Sequence, residues 1–412
     1  MARPNVTFTV VDESLVVPIG EASSTTIGGC YNPSNALKAL AGTTAERDQG
    51  YIFVPNQSDW YTRLTNLVIS NAGGVAAAAS INVGYCAATY VNGVYPGTGT
   101  GISAEFKDEW WPINNFLQYG AGCYVGWGTS TVTDTFLGLG YDVVFQGGTA
   151  GVSGSNYASV VTSIITNRSS GAEPVFGILN VGSTTGTISE VNVADLVGYN
   201  AATSADENIA AVYGEKVHLD LTGSTYITTP LAADIAGCIA RTDREAYPWF
   251  SPAGPRRGRI LNVVRLNDNL KEVEQDILYD DGINPVVTFR GDGTILFGDK
   301  TSGSETSTLS RINVVRLFHY IKKALAPVAR SILFEQNDSV TRSRFKIAAE
   351  GFLDRIVGQR GITEYRVICD STNNTPEIIE ANYFVADILV KPITSINYVK
   401  ITLTNKDLSD TI

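Results

Sequence analysis

The sequence predicts a multidomain chain of mixed α/β and α+β fold, and three observations carry that expectation. At 412 residues the chain is long against about 150 for a typical domain. Short apolar strand signals alternate with helical segments through its middle. Its last third reads as two amphipathic helices followed by strands. A hydrophobic share of 44% against 17% charged residues, with 40 glycines and 15 prolines, fits a folded chain rich in turns that buries sizeable cores.

Residues 1–20 (MARPNVTFTVVDESLVVPIG) are rich in β-branched residues, carry Pro4 and Pro18, and lack a helical period, which describes an extended arm. Residues 21–135 are Gly, Ala, Ser and Thr with aromatic islands, Trp60-Tyr61 and Trp110-Trp111, and predict a β-rich unit of short strands and long turns. Over 136–297 the pattern becomes α/β. Tyr141-Asp142-Val143-Val144-Phe145 is a buried strand closed by Gly147-Gly148, residues 159–166 a helix, Val175-Phe176-Gly177-Ile178-Leu179 a second strand, and 230–241 a packed helix despite Gly237.

An α+β unit is expected over 298–394. Val314, Leu317, Phe318, Ile321 and Leu325 share a helical face with Lys322 and Lys323 opposite, and Pro327 kinks or ends that helix. A second helix over 340–357 places Phe345, Ala348, Phe352 and Ile356 on one side and stops at Gly358. Strands over 365–369 and 383–390 follow. Residues 395–412 form a C-terminal arm, because Ile396 to Leu403 alternate in a strand period beyond the break at Pro392. No internal repeat is present.

A formal charge of −11 repels a phosphate backbone, so direct nucleic-acid binding is not expected. No apolar run reaches the about 18 residues of a membrane span, and the start lacks a signal-peptide stretch, which predicts no membrane insertion and a protein made in a cytoplasm and released only by lysis. Cys30, Cys86, Cys123, Cys238 and Cys369 lie far apart, without CxxC or Cys/His ligand spacing, and read as reduced, buried small hydrophobes. No metal site and no cofactor are expected.

Gly293-Thr294-Ile295-Leu296-Phe297-Gly298-Asp299-Lys300-Thr301 nearly spells a phosphate-binding loop. Asp299 stands where the lysine must follow the second glycine, and its carboxylate repels phosphate, so the segment reads as a strand and turn. His218 and His319 are the only histidines; one lies in a strand-like run and the other in an amphipathic helix, and no G-x-S-x-G elbow supplies a nucleophile. A scattered hydrolase triad or an NTPase is the alternative of another class. The acidic run at 276–281 and Asp108-Glu109 do not match a calcium loop and read as solvated turn charge. The most distinctive stretch is 247–260, YPWFSPAGPRRGRI. Three prolines and two glycines fix a rigid turn that includes Ser251, Pro252 and Gly254; Trp249 and Phe250 anchor it, and Arg256, Arg257 and Arg259 project toward carboxylates within or between subunits.

These blocks, in their order, resemble the tail sheath proteins of contractile-tailed, T-even-like phages. The matching text is Phe250-Ser251-Pro252-Ala253-Gly254 with Arg257-Gly258, then Gly282-Ile283-Asn284-Pro285, Leu296-Phe297-Gly298-Asp299-Lys300-Thr301, Arg311-Ile312-Asn313-Val314, Leu333-Phe334-Glu335-Gln336-Asn337-Asp338 and Asn373-Asn374-Thr375. Upstream, Asn115-Phe116-Leu117-Gln118-Tyr119-Gly120 is also similar, whereas the family's Pro-Gly-Val near the start is here Pro4-Asn5-Val6. The resemblance implies a subtilisin-like α/β sheath domain without catalytic residues, a C-terminal sheath domain, and a structural subunit rather than an enzyme. It implies hexameric rings stacked as a helical sheath in a virion assembled in the host bacterial cytoplasm, with the tail tube, baseplate and tail terminator proteins as partners. The sheath of a phage-derived injection system or bacteriocin shares these motifs, and a capsid or receptor-binding virion protein is a third reading. On this basis Val6, Phe8, Val10 and Val16 at one end, and Ile396, Tyr398, Val399, Ile401 and Leu403 at the other, are expected to exchange between neighbouring subunits by strand addition.

Overall fold

In the computed structural model the described residues are 15–16, 26–33, 36–72, 75, 94–95, 98–99, 106–128, 132–148, 154–168, 173–181, 206–303 and 307–397. The first elements are β1 (Leu15–Val16), β2 (Gly28–Asn32), α1 (Thr44–Gln49), β3 (Tyr51–Val54), α2 (Gln57–Ala72), β4 (Val94–Tyr95), β5 (Thr98–Gly99), α3 (Phe106–Leu117) and β6 (Cys123–Trp127). Then come α4 (Asp134–Leu137), β7 (Val143–Phe145), α5 (Gly154–Arg168), β8 (Phe176–Val181), β9 (Ile209–Tyr213), β10 (Glu215–Leu219), β11 (Tyr226–Pro230), α6 (Ala232–Glu245) and β12 (Arg265–Leu266). The last are α7 (Glu272–Asp280), β13 (Ile283–Asn284), β14 (Val286–Phe289), β15 (Gly293–Leu296), α8 (Ile312–Ile332), α9 (Ser339–Gly358), β16 (Ile362–Ile368), α10 (Pro376–Glu380) and β17 (Asp387–Pro392).

A seven-stranded sheet in the order β13-β9-β8-β7-β2-β6-β3 forms the middle of the molecule, parallel throughout except for β3 at its edge. Alternate side chains along each strand serve opposite faces. Val143, Phe145, Phe176, Ile178, Ala210 and Val212 join one core with residues of α3 and α6, while Val144, Leu179 and Ile209 join another with α5. A sheet buried on both faces explains why its strands are continuous apolar runs rather than alternating ones.

This sheet corrects the expectation of a separate β-rich unit over 21–135. That stretch supplies β2, β3 and β6 to the same sheet and also forms helices α2 and α3. Two of its glycines mark close packing. A Cβ at Gly28 would lie 2.5 Å from the Phe116 ring, and one at Gly29 2.7 Å from the Tyr141 ring. The aromatic islands are helical: Trp60 on α2 stacks on Trp110 of α3 with centroids 6.0 Å apart, and both are fully buried. Aromatic and small residues had suggested strands, but burial against the sheet overrides that local preference.

The C-terminal part is built on α8, whose two halves lie in two cores. Ile312, Val314 and Val315 belong to the sheet's core; Leu317, Ile321, Ala324 and Leu325 belong to a second one with Phe345, Ala349, Phe352, Leu353 and Ile356 of α9. Two expectations about these helices fail. Lys322 is buried rather than opposite the core, and burial pushes its ammonium down to about 8. On α9 the inward residue is Ala349, while Ala348 is exposed. The helix α8 continues through Pro327 to Ile332 because the buried Leu325, Ala326 and Ala329 hold the last turns in place. Strands β16 and β17 pair antiparallel, and β1 adds to the other side of β17 with Leu15 opposite Ile388 and Val16 opposite Asp387.

Candidate functional site

The motifs scattered between 247 and 313 meet in one place. Trp249 is buried and its indole N–H donates to the Gln359 carbonyl at 3.1 Å, which docks the turn on the end of α9. Gly254 has φ of +86°, a left-handed conformation suited to glycine, and its N–H reaches the Leu296 carbonyl at 2.9 Å. A Cβ at Gly258 would lie 2.9 Å from the Gly254 backbone nitrogen, so the loop closes too tightly for any other residue. Ser251 and Pro252 thus sit in a turn stitched to β15. The arginines behave differently. Arg257 donates to the Ser251 carbonyl at 2.7 Å and lies 5.2 Å from the Phe250 ring centroid, while Arg256 and Arg259 are exposed. Among the described residues none of the three forms an ion pair; for Arg257 a main-chain oxygen and an aromatic face stand where a carboxylate was expected.

The segment resembling a phosphate loop is consumed by structure. Arg311 donates to Asp299 at 2.9 Å and to the Tyr279 hydroxyl at 2.7 Å. Lys300 donates to the Tyr279 carbonyl at 2.6 Å and sits 4.3 Å from that ring's centroid. Asn284 closes the arrangement, accepting from the Lys300 N–H and donating to the Lys300 carbonyl, both at 2.8 Å. Its burial and the Asp299 charge push the Tyr279 hydroxyl up. Asn313 adds a bond to the Trp249 carbonyl at 3.3 Å. A cavity of about 640 Å³ lies beside this node, lined by Phe250, Tyr279, Phe297 and Ile393 together with Asp276, Asp280, Arg257 and Arg360.

His218 is buried and His319 is half-buried. Burial pushes His218 down to about 4; its Nδ1 lies 2.9 Å from the Leu219 carbonyl oxygen and its ring meets Trp111 edge-on at 4.7 Å. His319 is driven well below its usual range by burial, with its Nε2 2.8 Å from the Asn208 side-chain oxygen. Cys30, Cys123, Cys238 and Cys369 are buried free thiols, and burial raises each of them. Among the described residues no group of His, Cys, Asp and Glu could hold a metal ion, and no helix is long and apolar enough to cross a membrane.

Of the expected arm residues, Val16 lies in β1 opposite Asp387, and Ile396 is 84% exposed beyond the end of β17. Val6, Phe8, Val10, Tyr398, Val399, Ile401 and Leu403 lie outside the described residues. Sequence reading missed the buried charges. Lys216 and Asp234 are fully buried 2.8 Å apart, and Asp234 also accepts from the Tyr119 hydroxyl at 3.0 Å. Arg316 and Asp243 form a buried two-pronged pair. Only the presence of charge inside apolar helical faces could have signalled them, since the partners are remote in sequence.

Residues 131–302 match the profile of the phage tail sheath protein central domain, and residues 304–405 that of the phage tail sheath C-terminal domain. A tail sheath protein of Vibrio phage KVP40 is 47% identical over 187 residues, which is 44% of this chain and 28% of that relative. The tail sheath protein of Enterobacteria phage T4 is 42% identical over 216 residues, 50% of this chain and 33% of the relative. The matched stretch is therefore about a third of those curated relatives' length. The fold is similar to the sheath of the extracellular contractile injection system PVC in its contracted state, with a TM-score of 0.68, 16% identity and 98% of each chain covered. It is also similar to the contracted helical sheath of the anti-feeding prophage, with a TM-score of 0.65, 15% identity, and 98% of this chain and 100% of that one covered. With its sheath motifs gathered into one structural node, the chain belongs to the contractile phage tail sheath family, whose members are structural proteins and not enzymes.

Proposed function

We propose that this chain is the subunit of a contractile tail sheath, polymerising as stacked hexameric rings around a tail tube and contracting to drive that tube through a host envelope. The observation that carries the reading is the unbroken succession of sheath-family matches from 131 to 405. Its place is the virion, assembled in the host bacterial cytoplasm, with the tube, baseplate and tail terminator proteins as partners. The likeness in fold to injection-system sheaths keeps that second setting open, and genome context separates the two. The middle domain is a subtilisin-like fold in our reading, supported by the mostly parallel seven-stranded sheet with helices on both faces.

Contraction is rigid-body repacking of folded subunits that stay linked through their terminal arms, driven by new contacts and trapped kinetically until triggered. The edge of β17, which takes β1 within this chain, is the acceptor we assign to strand addition between neighbours. About four ladder bonds at a net ~1 kcal/mol each make one junction modest, and repetition around every ring makes the mesh durable. Truncation after Thr394 tests this: a folded monomer with unchanged far-ultraviolet dichroism and no tubes is expected. Normal polymerisation of that variant, or its unfolding, would show the terminal strand to belong to its own subunit's core.

A further inference from the structure

The helix α8 meets both chain ends through the same kind of contact. Arg316 holds Asp243 of α6, and Asp243 also accepts from the Thr26 hydroxyl just before β2. One residue along, the Ile27 N–H donates to Asp142 at 3.0 Å, and Asp142 is paired with Lys323. At the other end Arg311, the residue that opens α8, holds Asp299 at 2.9 Å. That carboxylate accepts from the Ser395 hydroxyl, and from the Asn397 side chain at 3.2 Å. Asn397 also reaches the Tyr279 hydroxyl that Arg311 holds.

We propose that α8 anchors both terminal segments: Arg311 at its cap and Arg316 and Lys323 along it each hold an aspartate, and each of those aspartates holds the root of one chain end. Three features support a built device rather than chance surface pairs. Asp243 and Asp299 are 5% and 3% exposed, so both carboxylates are largely withdrawn from water. Each aspartate spends part of its capacity on a chain-end donor that carries no charge, so the ion pair survives when that donor is removed. The anchoring helix is itself embedded in both cores, so tension on either end passes into the body and not into a loop. Asp299, which spoils the phosphate loop, then has a positive role as the C-terminal fastening. For assembly this inference rests on the sheath reading, in which the chain ends link neighbouring subunits; the anchoring itself does not.

The test uses the full chain with Thr26→Val in one variant and Ser395→Ala with Asn397→Ala in another, which leave every arginine–aspartate pair intact. Amide hydrogen exchange is the readout. Thr26→Val is expected to speed exchange at Ile27 and Gly28 about tenfold, and the second variant to do the same at Ile393, with β8 and α5 unchanged. Thr62→Val, the same loss of a hydroxyl on the exposed face of α2, should change none of these sites. Unchanged rates at both roots, or acceleration spread evenly over the molecule, would overturn the anchor. Combining the variants should shorten assembled tubes severalfold. If the parent chain forms no tubes the sheath reading fails while the exchange comparison stands, and parent tubes with unaltered root exchange sink the anchor alone.

Discussion

Arg257 shows how a charge recognised in sequence finds a use other than the expected one. Its guanidinium ties the Ser251 carbonyl and covers Phe250, so Arg257→Ala should lower stability by about 1–2 kcal/mol, read as a fall in melting temperature. Arg256→Ala, at an exposed neighbour, should change it little. The histidines give a pH dependence of defined sign. His218 is held at about 4 in the folded chain against an ordinary 6.5, so the unfolded chain binds the proton first. The stability this neutral ring contributes is fully present above about 6.5, is lost as pH falls toward about 4, and then levels off. His319 acts in the same direction. Denaturation at pH 7 and pH 4 should show that His218→Gln loses less stability across this window than the parent, by up to about 3 kcal/mol. Equal losses would mean that the ring is not desolvated in solution.

At the scale of elements, a helix is legible where an apolar period repeats along its own residues and illegible where its side chains answer to the sheet it packs on. The pattern on α8 is readable because Leu317, Ile321 and Leu325 keep one face, yet Lys322 is buried as well. Helices α2 and α3 were read as strands and turns, since their tryptophans and small residues answer to the sheet and not to local propensity. Asp338 caps α9, its carboxylate accepting from the Thr341 N–H at 2.7 Å. Asp338→Ala should cost about 1 kcal/mol and fray the first turn, visible as faster amide exchange at 339–342. The turn at 254–258 makes a sharper prediction. Gly258→Ala drives a methyl into the Gly254 backbone, and a loss of several kcal/mol or insoluble protein is expected. A melting temperature within a degree of the parent would show that the turn opens easily.

For the whole molecule, ordered motif blocks were more informative than any single chemical motif. The text over 247–313 is spread along the chain, and the fold collects it around Asp299, Asn284, Arg311 and Trp249. The buried pairs Lys216–Asp234 and Arg316–Asp243 could not be foreseen, because strand order and helix packing bring them together. The fold's proposed role is to polymerise. Negative-stain electron microscopy of the purified full chain tests that role. Long hollow tubes of uniform width, formed without nucleotide or any other protein, are expected. Monodisperse particles at every concentration and salt, or closed shells, would contradict it.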